Sequence, residues 1–160
     1  MLYCQKCPCF GDSKAVLEIV AIDCSMACSI VVKFLNQMVS RIKECVDGGN
    51  LSTVLNELGD RLYNTILTHT RSFSYNTTGA MLLLCDINEY KKCVNGWGVK
   101  ETFKKFDALH ALANLLVVVP DNLPEACSSQ LLASVDKQLV NSFVQLRHDY
   151  KSAKLYQTNY

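Results

Sequence analysis

Proline and glycine are scarce in this chain: three and seven among 160 residues. An all-β domain spends such residues on its many tight turns, so the shortage argues against sheet architecture and for long helices. Net charge is nearly absent as well. Sixteen Lys and Arg against fifteen Asp and Glu leave +1, which gives no overall attraction for nucleic acid or for an anionic membrane. Long apolar runs are also missing. The strongest, "HALANLLVVVPDNL" from His110 to Leu123, belongs to an uncharged run, Ala108 to Val119, of about 12 residues, whereas a membrane span needs about 20. The N-terminus lacks a secretory pattern, because Gly11, Asp12 and Lys14 interrupt before any apolar h-region can form.

Cysteine, by contrast, is abundant. The nine are Cys4, Cys7, Cys9, Cys24, Cys28, Cys45, Cys85, Cys93 and Cys127. The number is odd and the chain is not a small disulfide scaffold, so free and mostly buried thiols in a reducing cytosol are expected. The sequons Asn50-Leu51-Ser52 and Asn76-Thr77-Thr78 then carry no sugar. "CQKCPC" places Cys4, Cys7 and Cys9 at a spacing that could bind zinc or cycle as a dithiol. A structural zinc site takes four ligands, usually from two separated pairs, and no matching second pair follows. Cys24 and Cys28 could contribute. The expectation is no metal and no cofactor, with a small zinc-binding or thiol protein as an alternative.

The periodicity is helical. Val16, Val20, Cys24, Ala27, Ile30, Phe34, Met38 and Ile42 step by three or four, predicting a first helix from Ser13 that stops at Gly48 and Gly49. Asn50 or Ser52 caps a second, with Leu51, Val54, Leu55, Leu58, Leu62, Ile66 and His69 as its buried stripe. Gly59 interrupts that helix at a cost of about 1 kcal/mol relative to alanine. A third helix runs from about Thr78 to Val94 and ends at the turn signal "NGWG". A fourth starts near Val99 and includes the apolar run up to Val119. Its polar face is narrow (Lys100, Lys104, Asp107, Asn114), so it is packed on several sides and central to the core. Pro120 ends it. After "PDNLPEACSS" a fifth helix carries Leu132, Val135, Leu139, Phe143, Leu146 and Tyr150. The reading is an all-α, up-and-down bundle of about five helices, one domain over 13–160, preceded by an irregular segment 1–12.

Catalytic signals are weak. His110 falls between core positions, and His69 and His148 at helix ends or on solvent faces. There is no nucleophile elbow and no glycine-rich phosphate loop, since "NTTG" and "NGWG" lack the spacing. Lys91, Lys92, Lys100, Lys104 and Lys105 form a modest basic concentration. It reads as a solvated face, with Lys100, Lys104 and Lys105 as the candidate contact for an anionic lipid surface. Basic and aromatic residues do not interleave as nucleic-acid binders require.

Four stretches are distinctive: "IKECVDGGNLSTVLNELGDRLYNTILTH", "GAMLLLCDINEYKKC", "FDALHALANLLVVVPDNL" and "SFVQLRHDYKSAKL". In order and with few gaps, they resemble the C-terminal helical domain of the exocyst complex component five family, over roughly residues 36–155. The resemblance implies the distal end of a helical rod built from stacked bundles, in a family whose members are several times longer. It implies a non-enzymatic role in tethering secretory vesicles to the plasma membrane during exocytosis. The implied partners are the other exocyst subunits, with a small GTPase as a further candidate and no nucleic acid. The implied location is the cytoplasm, peripheral at sites of exocytosis, with membrane association indirect through the complex. The family offers no catalytic residues to carry over. A helical adaptor unrelated to tethering is the remaining alternative.

Overall fold

The computed structural model describes residues 23–153. Within them lie six α-helices: α1 Met26–Cys45, α2 Gly48–Thr70, α3 Thr77–Asn95, α4 Lys100–Asn114, α5 Leu123–Cys127 and α6 Lys137–Gln145. A 3-10 turn, Pro120–Asn122, leads into α5. No helix among the described residues is long and apolar enough to cross a membrane. α3 and α4 pack along each other at the centre. α1 leans on α3, while α2 and α6 lean on α4. Phe106, Leu109 and Leu112 of α4, Ile87 of α3, Leu55 of α2 and Phe143 of α6 are fully buried. The apolar run read as a central core helix is therefore central. It is helical only to Asn114, however.

The ends of α3 follow from its sequence. Asn76 caps it, its Oδ1 accepting the Gly79 N–H at 2.8 Å, which satisfies one of the orphan donors of the first turn. At the other end Gly98 sits at φ +80, a left-handed conformation that glycine adopts at little cost, and the turn folds Trp97 into the core.

Four boundaries differ from expectation. The first helix does not run continuously from Ser13. Residues 23–25 are non-helical and α1 begins at Met26, with Ser25 as cap. Residues 13–22 lie outside the described part. The face of α1 is also turned by one position. Cys28, Leu35 and Val39 are buried, whereas Ala27, Ile30 and Phe34 are exposed. α1 is apolar on two neighbouring stripes, and the one that meets α3 wins. Gly48 and Gly49, expected as a stop, are instead the first two residues of α2. The first turn has no intrahelical N–H bonds to lose, so glycine is tolerated there. His69, placed both on the buried stripe of α2 and among the histidines at helix ends or on solvent faces, is exposed and stacks edge-on against Phe73.

Two further corrections lie toward the C-terminus. The fourth helix stops at Asn114 rather than Val119, and the fifth expected helix shrinks to Lys137–Gln145. Tyr75 pairs with the chain after α6: its N–H donates to Leu146 O at 2.7 Å and its carbonyl accepts the His148 N–H at 2.8 Å. That pairing pulls residues 146–148 off the helix. Leu132 and Val135 keep their apolar spacing through consecutive turns instead, and Asp136 caps α6 by accepting the Gln138 N–H.

Candidate functional site

Three surfaces bear on function: the lysine face of α4, the junction where α1 meets α3, and the outer side of α1. The lysines come first. Lys104 pairs with Glu101 at 3.0 Å, and Lys105 reaches across to Asp60 of α2 at 2.6 Å. Lys91 of α3 pairs with Asp107 of α4 at 2.6 Å and lies 5.5 Å from the Phe103 ring centre. Among the described residues, Lys100 is the one member of the trio Lys100, Lys104 and Lys105 without an ion pair. The Lys91 and Lys105 pairs link α3 and α2 to α4, whereas the Lys104 pair lies within α4 and is exposed.

At the α1–α3 junction the buried Asp86 of α3 receives the start of α1. Ser25 donates its backbone N–H to Asp86 Oδ1 at 2.6 Å and its hydroxyl to Oδ2 at 2.8 Å. The same Ser25 Oγ accepts the Cys28 N–H at 3.1 Å. A negative charge at a helix N-terminus is favourable, and here it comes from a neighbouring helix. Cys28 lies beside it, its thiol pushed up to about 12 by burial and then by the Asp86 charge. At neutral pH it is a thiol and not a nucleophilic thiolate. Cys24, half-buried, stands near Ser29 Oγ at 3.1 Å. Sequence reasoning noted Cys24 and Cys28 but missed Asp86, for which an acidic residue set in the apolar run from Met81 to Ile87 was the available signal. Cys4, Cys7 and Cys9 lie outside the described residues.

His110 is half-buried on α4. Burial and then Lys91 hold its pKa below the ordinary histidine value, with Asp107 opposing. It is a boundary histidine of the core. The exposed face of α1 is apolar: Met26, Ile30 and Phe34, at 79%, 63% and 60% exposure, recur every four residues along one stripe.

These features belong to a bundle of α-helices. Comparison with known proteins places it. The family described as "Exocyst complex component Sec10-like, alpha-helical bundle" matches residues 10–158. Human exocyst complex component 5 is 46% identical over 136 residues, which cover 85% of this chain and 19% of the human protein. The Drosophila melanogaster protein of that name gives the same identity and coverage. Arabidopsis thaliana exocyst complex component SEC10a is 38% identical over 129 residues, 81% of this chain and 15% of that protein. The chain belongs to the exocyst complex component Sec10-like family. It spans 19% or less of the length of these three relatives. The match begins at residue 10, well before residue 36, so it takes in most of the stretch ahead of the resemblance read from the sequence.

Proposed function

We propose that this chain serves as a non-catalytic exocyst subunit, or as part of one, and acts in tethering secretory vesicles to the plasma membrane. The observation that carries the reading is the match to the Sec10-like bundle along nearly the whole chain, at 46% identity to the human protein. The geometry is consistent with it. The fold offers long helical faces for protein contact, and the apolar side of α1 supplies one such face. The partners in this reading are other exocyst subunits, with a small GTPase as a further candidate. The chain works in the cytoplasm and reaches the membrane through the complex.

The test is affinity purification of the tagged 160-residue chain from cells, with co-purifying proteins identified by mass spectrometry. Recovery of several exocyst subunits above the level seen with an unrelated helical bundle is the expected result. Recovery of none would favour the unrelated-adaptor reading.

A further inference from the structure

Three metal-ligating groups from two parts of the chain converge at the N-terminus of α1. Cys24 precedes the cap, Cys28 stands in the first turn, and Asp86 projects from α3. Their two sulfurs and a carboxylate oxygen all lie within 4.8 Å of one another. We propose that Cys24, Cys28 and Asp86 form a zinc site, with solvent in the fourth position.

The spacing is close to what zinc requires. Zn–S of about 2.3 Å and Zn–O of about 2.1 Å in a tetrahedron put ligand atoms about 3.5–3.8 Å apart. A side-chain adjustment of about 1 Å closes the difference. The residue able to make it is Cys24, half-exposed and ahead of the helix, while Cys28 and Asp86 are buried at 1% and 2% exposure and fixed by packing. Three residues separate the cysteines, within the spacing that zinc-binding pairs use.

Ser25 contributes from outside the ligand set. Its N–H and hydroxyl each occupy one lone pair on a different oxygen of Asp86. A carboxylate oxygen can accept more than one partner, so the cap and a metal are compatible; the cap orients the ligand, as outer hydrogen bonds do in zinc proteins. The donor set also selects the ion. Two thiolates are too soft for magnesium or calcium, and the carboxylate oxygen is too hard for a copper(I) site. On binding, the thiols of Cys24 and Cys28 each release a proton to solvent and two Zn–S bonds form. Affinity therefore falls as pH falls. The half-exposed Cys24 side is the route of entry. The bound ion would pin the start of α1 to the middle of α3. None of this depends on the exocyst reading.

The full 160-residue chain, stripped with chelator, is titrated with Co2+ and then Zn2+. The expected result is a thiolate-to-cobalt charge-transfer band that saturates at one ion per chain and disappears on adding Zn2+, with a rise in thermal midpoint under Zn2+. Cys4→Ser/Cys7→Ser/Cys9→Ser together should leave the band intact. Cys24→Ser should weaken affinity by about tenfold or more, and at a half-exposed position it keeps the fold, which circular dichroism verifies. Cys28→Ser and Asp86→Asn should act likewise. Absence of the band in the unaltered chain, its survival in Cys24→Ser, or its loss in the triple variant would each overturn the assignment.

Discussion

Gly59 of α2 and Thr102 of α4 meet with no room for a side chain between them. A Cβ at Gly59 would stand 2.6 Å from Thr102 Oγ1 and closer still to Cγ2. A glycine that looks like a flaw in a helix is therefore the point where two helices touch.

Gly59→Ala should accordingly destabilise the bundle, although alanine favours helix by about 1 kcal/mol. Overpacking costs about 1–3 kcal/mol, and Thr102 is fully buried, so neither helix can yield without disturbing its other contacts. A net loss of about 1–2 kcal/mol in urea unfolding is expected from the two terms. Adding Thr102→Ala should recover part of it, since the residues are in contact and their effects are not additive. A stabilised Gly59→Ala would show that the helices can move apart freely.

Leu112 is fully buried and Leu116 nearly so. Leu112→Ala should cost about 2–5 kcal/mol, read as a fall in the urea midpoint at constant slope. A loss below about 0.5 kcal/mol would remove α4 from the centre of the fold.

That assignment was legible in the sequence because α4 has so thin a polar stripe. α3 was legible because the "NGWG" turn marks its end; its Asn76 cap came only with the structure. Other features depend on partners far away in sequence. Which apolar stripe of α1 is buried depends on α3. The end of α6 depends on Tyr75, some seventy residues upstream. The role of Asp86 depends on Ser25, the cap of another helix. Periodicity records how apolar residues are spaced along one element, and it carries no information on which distant backbone group will claim a hydrogen bond.

Arg147 is another such long-range tie. Its Nη1 donates to the carbonyls of Leu115 at 2.6 Å and Val118 at 2.7 Å, while Nε and Nη2 grip Asp149 at 2.8 Å each. The guanidinium thus ties the turns that follow α4 to the chain after α6. Arg147→Met should cost about 2–4 kcal/mol, somewhat below a fully buried pair, because Asp149 still reaches water. The same change should alter the acid response. Hydrogen bonding to Arg147 holds the Asp149 carboxyl below its ordinary range, so the folded state binds fewer protons than the unfolded state in that window. The contribution is present above about pH 4 and is lost as pH falls through the folded value. Acid titration of stability should show this limb in the parent and lose it in Arg147→Met.

His110 governs a different window. Burial and Lys91 depress its pKa, so on acidification the unfolded chain takes up this proton first. Stability should fall as pH drops below about 6.5 and level off once pH has passed the folded value. NMR titration of the imidazole should report the lowered midpoint directly. His110→Gln should flatten this part of the stability profile. An unchanged profile would place His110 in water.

Phe34 and Leu35 are neighbours in sequence with opposite fates. Phe34 is 60% exposed and Leu35 5%. The simple three-and-four spacing favours Phe34 for the core, so the pair tests the register of α1. Phe34→Ser should change stability by no more than about 0.5 kcal/mol, as surface changes do. Leu35→Ser should cost well over 2 kcal/mol, since it removes a core leucine and leaves a hydroxyl to bury. Parallel urea melts decide between the two registers. If Phe34→Ser proves the costlier change, α1 is rotated relative to α3, and the Ser25–Asp86 contact that fixes its orientation is not made in solution.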